Sequence, residues 1–384
     1  MKELGLYIHI PFCKKKCDYC DFISYSGKGN CIKEYVEDLK NEIKHELNKV
    51  INNSKEDYIV TTIYFGGGTP SFISSKHIVE IINTIKKYIV GADDPVCPLE
   101  VTLEVNPGTV TIEKLEEYKK IGINRLSIGL QETNNQLLES IGRIHTYEDF
   151  LKTYNLARNV GFKNINVDLM IGLPNQSIEN IKKSLEKIIS LNPEHISVYS
   201  LILEEGTPLY YRCENDDLKL PDEELERNMY WYVKNTLENA GYIHYEISNF
   251  TKKDYESKHN VNCWEQKEYL GFGLAAHSYF NKERYANTTD MKEYLEFKGL
   301  NCKITYEKQN DDDTKKEYML LGLRKINGVS IQKFKNKFGE NPIFLFKNEL
   351  SKLVEQNLLI IDGDCIKLTN KGLDLANLVW EEFI

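Results

Sequence analysis

Six short runs rich in β-branched and apolar residues recur along the first half of the chain: Leu4–Ile10, Thr61–Phe65, Glu100–Val105, Arg125–Gln131, Asn164–Met170 and His195–Ile202. The stretches between them carry helical spacing. In Lys33–Val50, Tyr35, Val36, Leu39, Ile43 and Leu47 share one stripe. Lys76–Tyr88, Ile112–Lys120, Tyr147–Asn159 and Ile178–Ser190 also read as helices. Strand alternating with helix predicts parallel strands joined by right-handed crossovers. Six such units predict an α/β fold, an incomplete (β/α)6 barrel rather than the full eight-stranded closure. Chemistry on such a barrel sits at the C-terminal ends of the strands and on the loops that follow.

Past Glu204-Glu205-Gly206-Thr207-Pro208 the pattern changes. Pro221-Asp222-Glu223-Glu224 opens a helix that runs to about Ala240, and Tyr242–Phe250 reads as an edge strand or hairpin arm. Residues 251–300 read as loop-rich. Asn310-Asp311-Asp312-Asp313 marks a hinge and a helix start. Helices are expected at Thr314–Leu323, Ile331–Phe338 and Pro342–Gln356, a hairpin turning at Asp362-Gly363-Asp364, and a last helix over Lys371–Glu381. The reading is a barrel over 1–205, an α+β extension closing its mouth over 206–310, and a winged-helix-like domain over 311–384.

Charge narrows the partners. A net charge of −9 gives no basic footprint, so no nucleic acid is expected, and the winged tail is assigned to packing or partner recognition. No apolar run reaches the length of a membrane span, which leaves transient association with a membrane surface open. The chain enters its first strand at once, so no signal or transit segment is expected. Of nine cysteines, Cys31, Cys97, Cys213, Cys263, Cys302 and Cys365 are scattered without a framework. Free thiols fit a reducing cytoplasm.

The other three form Cys13-Lys14-Lys15-Lys16-Cys17-Asp18-Tyr19-Cys20, directly after the first strand and Pro11. Their thiolates can converge from one loop. A structural zinc site takes a fourth ligand, and position 22, where a fourth cysteine could stand, is Phe22. A cubane iron–sulfur cluster is held by cysteine thiolates; three of them leave one iron open. After the second strand comes Gly66-Gly67-Gly68-Thr69-Pro70, a loop that permits positive φ and close approach of backbone to a ligand. Glu104 and Asp168 are acids at the ends of apolar strands, where an unpaired charge is costly. Each is either a ligand for hydroxyls or an ammonium, or half of an ion pair.

The CxxxCxxC spacing resembles the radical S-adenosylmethionine (radical SAM) superfamily, in which SAM occupies the open iron. The match extends through Tyr-Ile-His-Ile-Pro-Phe-Cys at 7–13, Tyr-Cys-Asp-Phe at 19–22, Phe-Gly-Gly-Gly-Thr-Pro at 65–70 and Glu104-Val105-Asn106-Pro107. It continues through Arg125–Gln131, Gly142-Arg143, Asp168–Pro174 and Gly271-Phe272-Gly273. In this the chain is similar to oxygen-independent coproporphyrinogen III dehydrogenases and to HemW-type haem chaperones. The resemblance implies a 4Fe-4S cluster on Cys13, Cys17 and Cys20, and a first SAM against Tyr7, Gly67 and Glu104. It implies a second SAM against Tyr19, Gly68, Thr69, Gln131, Arg143 and Asp168. From its position alone, Arg143 could equally be a helix-surface residue.

Two features separate the relatives. Dehydrogenases of the group carry a further cysteine where this chain has Phe22, as chaperone-type sequences do. The chaperone type also carries His-Asn-x-x-Tyr-Trp, which here reads His259-Asn260-Val261-Asn262-Cys263-Trp264, with Cys263 in the tyrosine's place. Histidine and cysteine both ligate haem iron, so His259, Cys263 and His277 are the haem-binding candidates. Tyr199, Tyr210, Tyr211, Tyr230, Trp231 and Tyr232 are candidates to line a cavity for a flat tetrapyrrole. The reading implied is a haem chaperone with haem as cargo, haem-accepting and in particular respiratory proteins as recipients, and an electron donor such as flavodoxin or ferredoxin, acting as monomer or homodimer. The rival is radical oxidative decarboxylation of coproporphyrinogen III to protoporphyrinogen IX. Haem-ring opening and a cluster-sensing winged-helix regulator are the more distant alternatives.

Overall fold

A computed structural model describes residues 1–52, 56–89, 99–215 and 217–384 of the protein; Cys97 lies outside the described residues. The β-branched runs form β1 (Lys2–Ile10), β2 (Tyr58–Gly67), β3 (Glu100–Val105), β4 (Arg125–Gln131), β5 (Ile165–Ile171) and β6 (His195–Ser200). Each pairs in parallel with the next. The crossovers are α1 (Ile32–Leu47), α2 (Ser75–Ile89), α3 (Ile112–Ile121), α4 (Asn135–Ser140) with α5 (Tyr147–Val160), and α6 (Ile178–Leu191). Local chemistry sets their ends. Thr146 with Asp149 and Ser177 with Asn180 make reciprocal capping boxes at α5 and α6. Gly122 and Gly161, at φ 110° and 93°, close α3 and α5 in the left-handed conformation.

Strand alternation divides the barrel into two faces. On β1, Leu4, Leu6, Ile8 and Ile10 are fully buried in the main apolar core shared with the helices, while Tyr7 and His9 fall on the other face of the pleat. Most of the inward set is polar on every strand, which gives the barrel interior its chemistry.

The second half of the chain extends the sheet at both edges. β7 (Ile243–Glu246) and β8 (Asn249–Thr251) form an antiparallel hairpin beside β6, as expected of Tyr242–Phe250. The loop-rich reading of 251–300 is corrected. That stretch holds β9 (Tyr269–Phe272), β10 (His277–Phe280) and β11 (Glu283–Asn287), and is followed by β12 (Lys303–Lys308). β9 pairs in parallel with β1, and the rest are antiparallel. The strands are only four to six residues long. The β10–β11 turn uses Asn281 and Lys282 at φ 52° and 59°, both left-handed, without the glycine that usually advertises such a turn. The sheet runs β12-β11-β10-β9-β1-β2-β3-β4-β5-β6-β8-β7, twelve strands with β12 at one end and β7 at the other, where Glu246 bridges to Lys325.

Four helices complete this region: α7 (Pro208–Glu214), α8 (Glu223–Asn239), α9 (Lys258–Trp264) and α10 (Met291–Glu296). The His259 stretch is thus a short helix, not a loop. Residues 311–383 carry a separate core around Met319, Leu323, Phe334, Leu353 and Ile366. Helices at 311–322, 331–338 and 347–355 precede a three-stranded sheet whose hairpin turns at Gly363. The expected last helix breaks at Leu375 into Asn370–Asp374 and Ala376–Trp380. Arg227 and Trp231 of α8 hold Asp374, and Gln266 donates to the Thr314 carbonyl at 2.9 Å. Among the described residues no helix is long and apolar enough to cross a membrane.

Candidate functional site

At the C-terminal ends of the strands lies a cavity of about 540 Å3. Cys13, Cys17, Tyr19 and Cys20 form one wall, and Gly67, Gly68 and Thr69 the next. Glu104, Gln131, Arg143 and Asp168 complete it, together with Tyr64, Asn106, Ser127 and Tyr199. A larger, shallow hollow of about 650 Å3 lies where Lys2, Gln266, Lys282 and Lys337 meet, and none of the expected site residues lines it.

The cysteine loop is tied down at both ends. Phe12 and Cys13 pair in parallel with Tyr25 and Ser26, which returns the chain to its start. Asp18 donates its backbone N–H to the Ile141 carbonyl at 3.1 Å and accepts from Leu209 at 2.9 Å, and its carboxylate pairs with Arg212 at 3.2 Å. Gly142 is needed at this crossing: its φ is +78°, and a Cβ there would stand 2.3 Å from the Asp18 carboxylate.

A chain of polar contacts then links two of the thiols. Thr69 donates its hydroxyl to Cys13 Sγ at 3.4 Å and accepts from Asn106 Nδ2 at 2.7 Å. Arg143 donates to Asn106 Oδ1 at 2.9 Å, to the Gly129 carbonyl at 2.6 Å and to Cys17 Sγ at 3.4 Å. Arg143 is therefore a cavity wall, not a helix-surface residue. Burial raises the Cys13 thiol, and raises that of Cys20 to about 11. A ligand that bound them as thiolates would have to displace those protons.

Facing the thiols, Glu104 accepts from Tyr64 Oη at 2.9 Å, and burial pushes its carboxyl up to about 7. Asp168 accepts from Asn166 Nδ2 at 2.6 Å and is raised by burial as well. Gln131 takes φ 73° at a register shift in β4, which turns it out of the ladder. Tyr7 lies beside the cavity rather than on its lining, stacked on Tyr64 at 6.2 Å and bonded to His9 Nδ1 at 3.1 Å.

The haem candidates are not gathered there. His259 is 6% exposed, bonded through Nδ1 to Thr62 Oγ1 at 2.9 Å and stacked on Tyr64 at 5.3 Å. Cys263 is one turn further along α9, with its thiol pushed up to about 12 by burial. His277 is exposed on β10. Of the aromatic candidates, Tyr199 lines the cavity. Tyr230 and Trp231 are engaged elsewhere, by the Ile247 carbonyl and Asp374.

Reasoning from the sequence assigned no role to Tyr64, Asn106, Ser127 or Arg125. For Arg125 and Ser127 the signal was the alternation itself: like Thr102 and Glu104, they are polar residues two apart in an otherwise apolar run.

Residues 7–188 match the family described as the Radical SAM superfamily, and residues 310–375 that described as the HemN C-terminal domain. The chain is 38% identical to the "Heme chaperone HemW" of Bacillus subtilis (strain 168) over 381 residues, covering 98% of each. It is 37% identical to that of Lactococcus lactis subsp. lactis (strain IL1403), covering 100% of this chain and 98% of the relative. The chain belongs to the HemW family of radical SAM proteins. Its fold matches that of the coproporphyrinogen III oxidase HemN from Escherichia coli, described as a radical SAM enzyme, with a TM-score of 0.84 and 22% identity over 100% of this chain and 90% of that one.

Membership in the superfamily implies a 4Fe-4S cluster and SAM, and the residues present fit both. Cys13, Cys17 and Cys20 share one wall of the cavity, and a cluster is held by thiolates spread over several of its irons. Gly68 leaves room for it: a Cβ there would stand 3.0 Å from Cys13 Sγ and from the Ile10 carbonyl.

Proposed function

We propose that this chain takes up haem and passes it to haem-dependent proteins, respiratory ones among them, while a 4Fe-4S cluster and SAM occupy the barrel mouth. The observation that carries the reading is the likeness, end to end, to proteins named heme chaperones, at 38% identity over 98% of both chains. The HemN likeness, at 22%, speaks for the fold alone. Phe22, which is 64% exposed beside the cavity, supports it, because dehydrogenases of the group carry cysteine there.

In this reading Cys13, Cys17 and Cys20 hold the cluster, with Thr69 and Arg143 donating to two of the sulfurs. The group supplies, when bound, an electron for a sulfonium ligand, drawn from a donor such as flavodoxin or ferredoxin. The first SAM would lie against Tyr7, Gly67 and Glu104, with Glu104 accepting from its ammonium or hydroxyls and the three-glycine loop letting backbone approach its amino-acid end. A second SAM would lie against Tyr19, Gly68, Thr69, Gln131, Arg143 and Asp168. The reduced cytoplasm is the compartment such thiols require. Haem is held through the α9 region, with His259 and Cys263 on one helix and His277 as the third candidate.

Protein loaded with iron and sulfide without oxygen is expected to bind haem stoichiometrically and, given SAM and reductant, to leave coproporphyrinogen III unchanged. Absorbance titration and product analysis, side by side, read both. Formation of protoporphyrinogen IX would transfer the chain to the dehydrogenases. His259→Ala is expected to weaken haem binding while the iron content stays as in the wild type; unaltered haem affinity removes His259 from the haem site.

A further inference from the structure

A (β/α) barrel ordinarily fills its interior with layers of branched apolar side chains. Here Thr102, Arg125, Ser127 and Asn166, the inward positions of β3, β4 and β5 beneath the cavity, are polar, and Arg125 is a cation. Arg125, at the start of β4, is 2% exposed. Its Nε has no hydrogen-bond partner, and neither has the hydroxyl of Thr102, its partner in register on β3. An uncompensated guanidinium at this depth carries a large desolvation cost, so its charge must be balanced nearby.

The sheet supplies the balance. Glu104 stands two residues beyond Thr102 on β3, and Asp168 on β5 is in register with Gly129 of β4, so a carboxyl flanks the Arg125 strand on either side. Glu104 is thus about 6–7 Å further along than Arg125, within the reach of an arginine side chain, while Asp168, level with Gly129 four residues on, is about 13 Å further and feels the charge at longer range. The third acid of the interior, Glu100, is already satisfied by the N–H groups of Lys258 and His259 at the start of α9, at 3.0 and 3.2 Å.

We propose that Arg125 is the buried counter-charge that biases Glu104, and more weakly Asp168, toward the ionised form, and so sets the pH range over which the barrel mouth accepts a cationic, hydroxyl-bearing ligand. The inference rests on the SAM reading for the ligand, but not for the charge balance. Arg125 is a positioning residue, since it lies below the cavity and acts through the two carboxyls. Burial raises both of them, and the Arg125 charge opposes that rise in each. The other titratable groups facing Arg125 are Tyr64 on β2, His195 on β6, Tyr245 on β7 and His259 on α9. Burial, with Arg125 adding to it, holds both histidines well below neutrality, His259 at about 4, so neither changes charge near pH 7.

Arg125→Met keeps most of the volume and removes the charge; Arg125→Lys keeps the charge. In the metal-free full-length chain, infrared difference spectra against pH follow the protonated carboxyl band, with Glu104→Gln to assign it. Arg125→Met is expected to move the Glu104 titration upward by about one pH unit or more, and Arg125→Lys to return it. In cluster-loaded protein, SAM affinity near pH 7 is expected to fall roughly tenfold in Arg125→Met, one unit being a factor of ten, and to recover as pH is raised. Titration unchanged by Arg125→Met overturns the proposal. A shifted titration in a protein whose wild type binds no SAM upholds the counter-charge and overturns the SAM reading. Should Arg125→Met not fold, the balanced variant Arg125→Met/Glu104→Gln/Asp168→Asn is expected to fold; failure of both overturns the proposal.

Discussion

With Cys13, Cys17 and Cys20 all replaced by alanine, the protein is expected to fold, to retain none of the roughly four irons of a cubane cluster, and to lose SAM binding with them. The loop does not depend on the sulfurs for its shape. Its anchors are the Phe12–Cys13 pairing with Tyr25–Ser26, the backbone bonds of Asp18, and the Asp18–Arg212 ion pair. Thr69 loses an acceptor at Cys13 but keeps its bond from Asn106, and Arg143 keeps the Gly129 carbonyl and Asn106. Two weak N–H or O–H to sulfur contacts are lost, at a net cost of about 1 kcal/mol each or less. Iron and sulfide analysis after anaerobic reconstitution, with urea unfolding of the same sample, separates lost ligands from a lost fold. Equal iron in variant and wild type would sink the assignment.

Glu42→Ala is expected to be among the most destabilising single changes in the molecule, by about 3 kcal/mol near pH 6. Glu42 sits on the buried side of α1 and is the shared acceptor for three buried donors: the Gly273 N–H at 2.8 Å, Asn287 Nδ2 at 2.6 Å and Tyr294 Oη at 2.7 Å. Each buried donor left unpaired costs about 1–3 kcal/mol, and relief of the carboxyl's own burial offsets part of the sum. The contacts pin the turn that begins at Gly273, after β9, to α1, beside the point where Tyr35 bonds the His9 carbonyl at 2.8 Å. Burial raises the Glu42 carboxyl to about 7, against an ordinary value of 4.5. The folded state therefore binds this proton more tightly than the unfolded one. The resulting stability is fully present below about pH 4.5 and is lost as pH rises through about 7. The difference between Glu42→Ala and wild type should accordingly be larger at pH 6 than at pH 8. Denaturant unfolding at the two pH values reads both the size and the sign; a difference that grows with pH would contradict the buried-carboxyl account.

What the sequence disclosed follows from element length. The six parallel strands carry runs of β-branched and apolar residues separated by long helical stripes, so period and spacing identify them. The Cys13–Cys20 loop and Gly66–Gly68 are contiguous signals whose chemistry is local. Residues 251–300 read as loop-rich because β9, β10 and β11 are four or five residues each, and the β10–β11 turn at Asn281-Lys282 carries no marker glycine. At seven residues, α9 is too short for its periodicity to separate from loop. Arg125 escaped because Leu126, Ile128 and Leu130 make its run look apolar, and only the other face of the pleat reveals a charge turned inward. Asn106 and Tyr64 acquire their roles from partners across the sheet, which no local pattern announces.

The proposed function requires that a cluster on Cys13, Cys17 and Cys20 leave one iron open to SAM. The measurement nearest to that claim is the electron paramagnetic resonance spectrum of the reduced, cluster-loaded protein, recorded with and without SAM. A shifted signal on addition of SAM, absent when S-adenosylhomocysteine lacking the sulfonium charge is used in the Glu104→Gln background, is the predicted result. The same spectrum with and without saturating SAM in the wild type would contradict it.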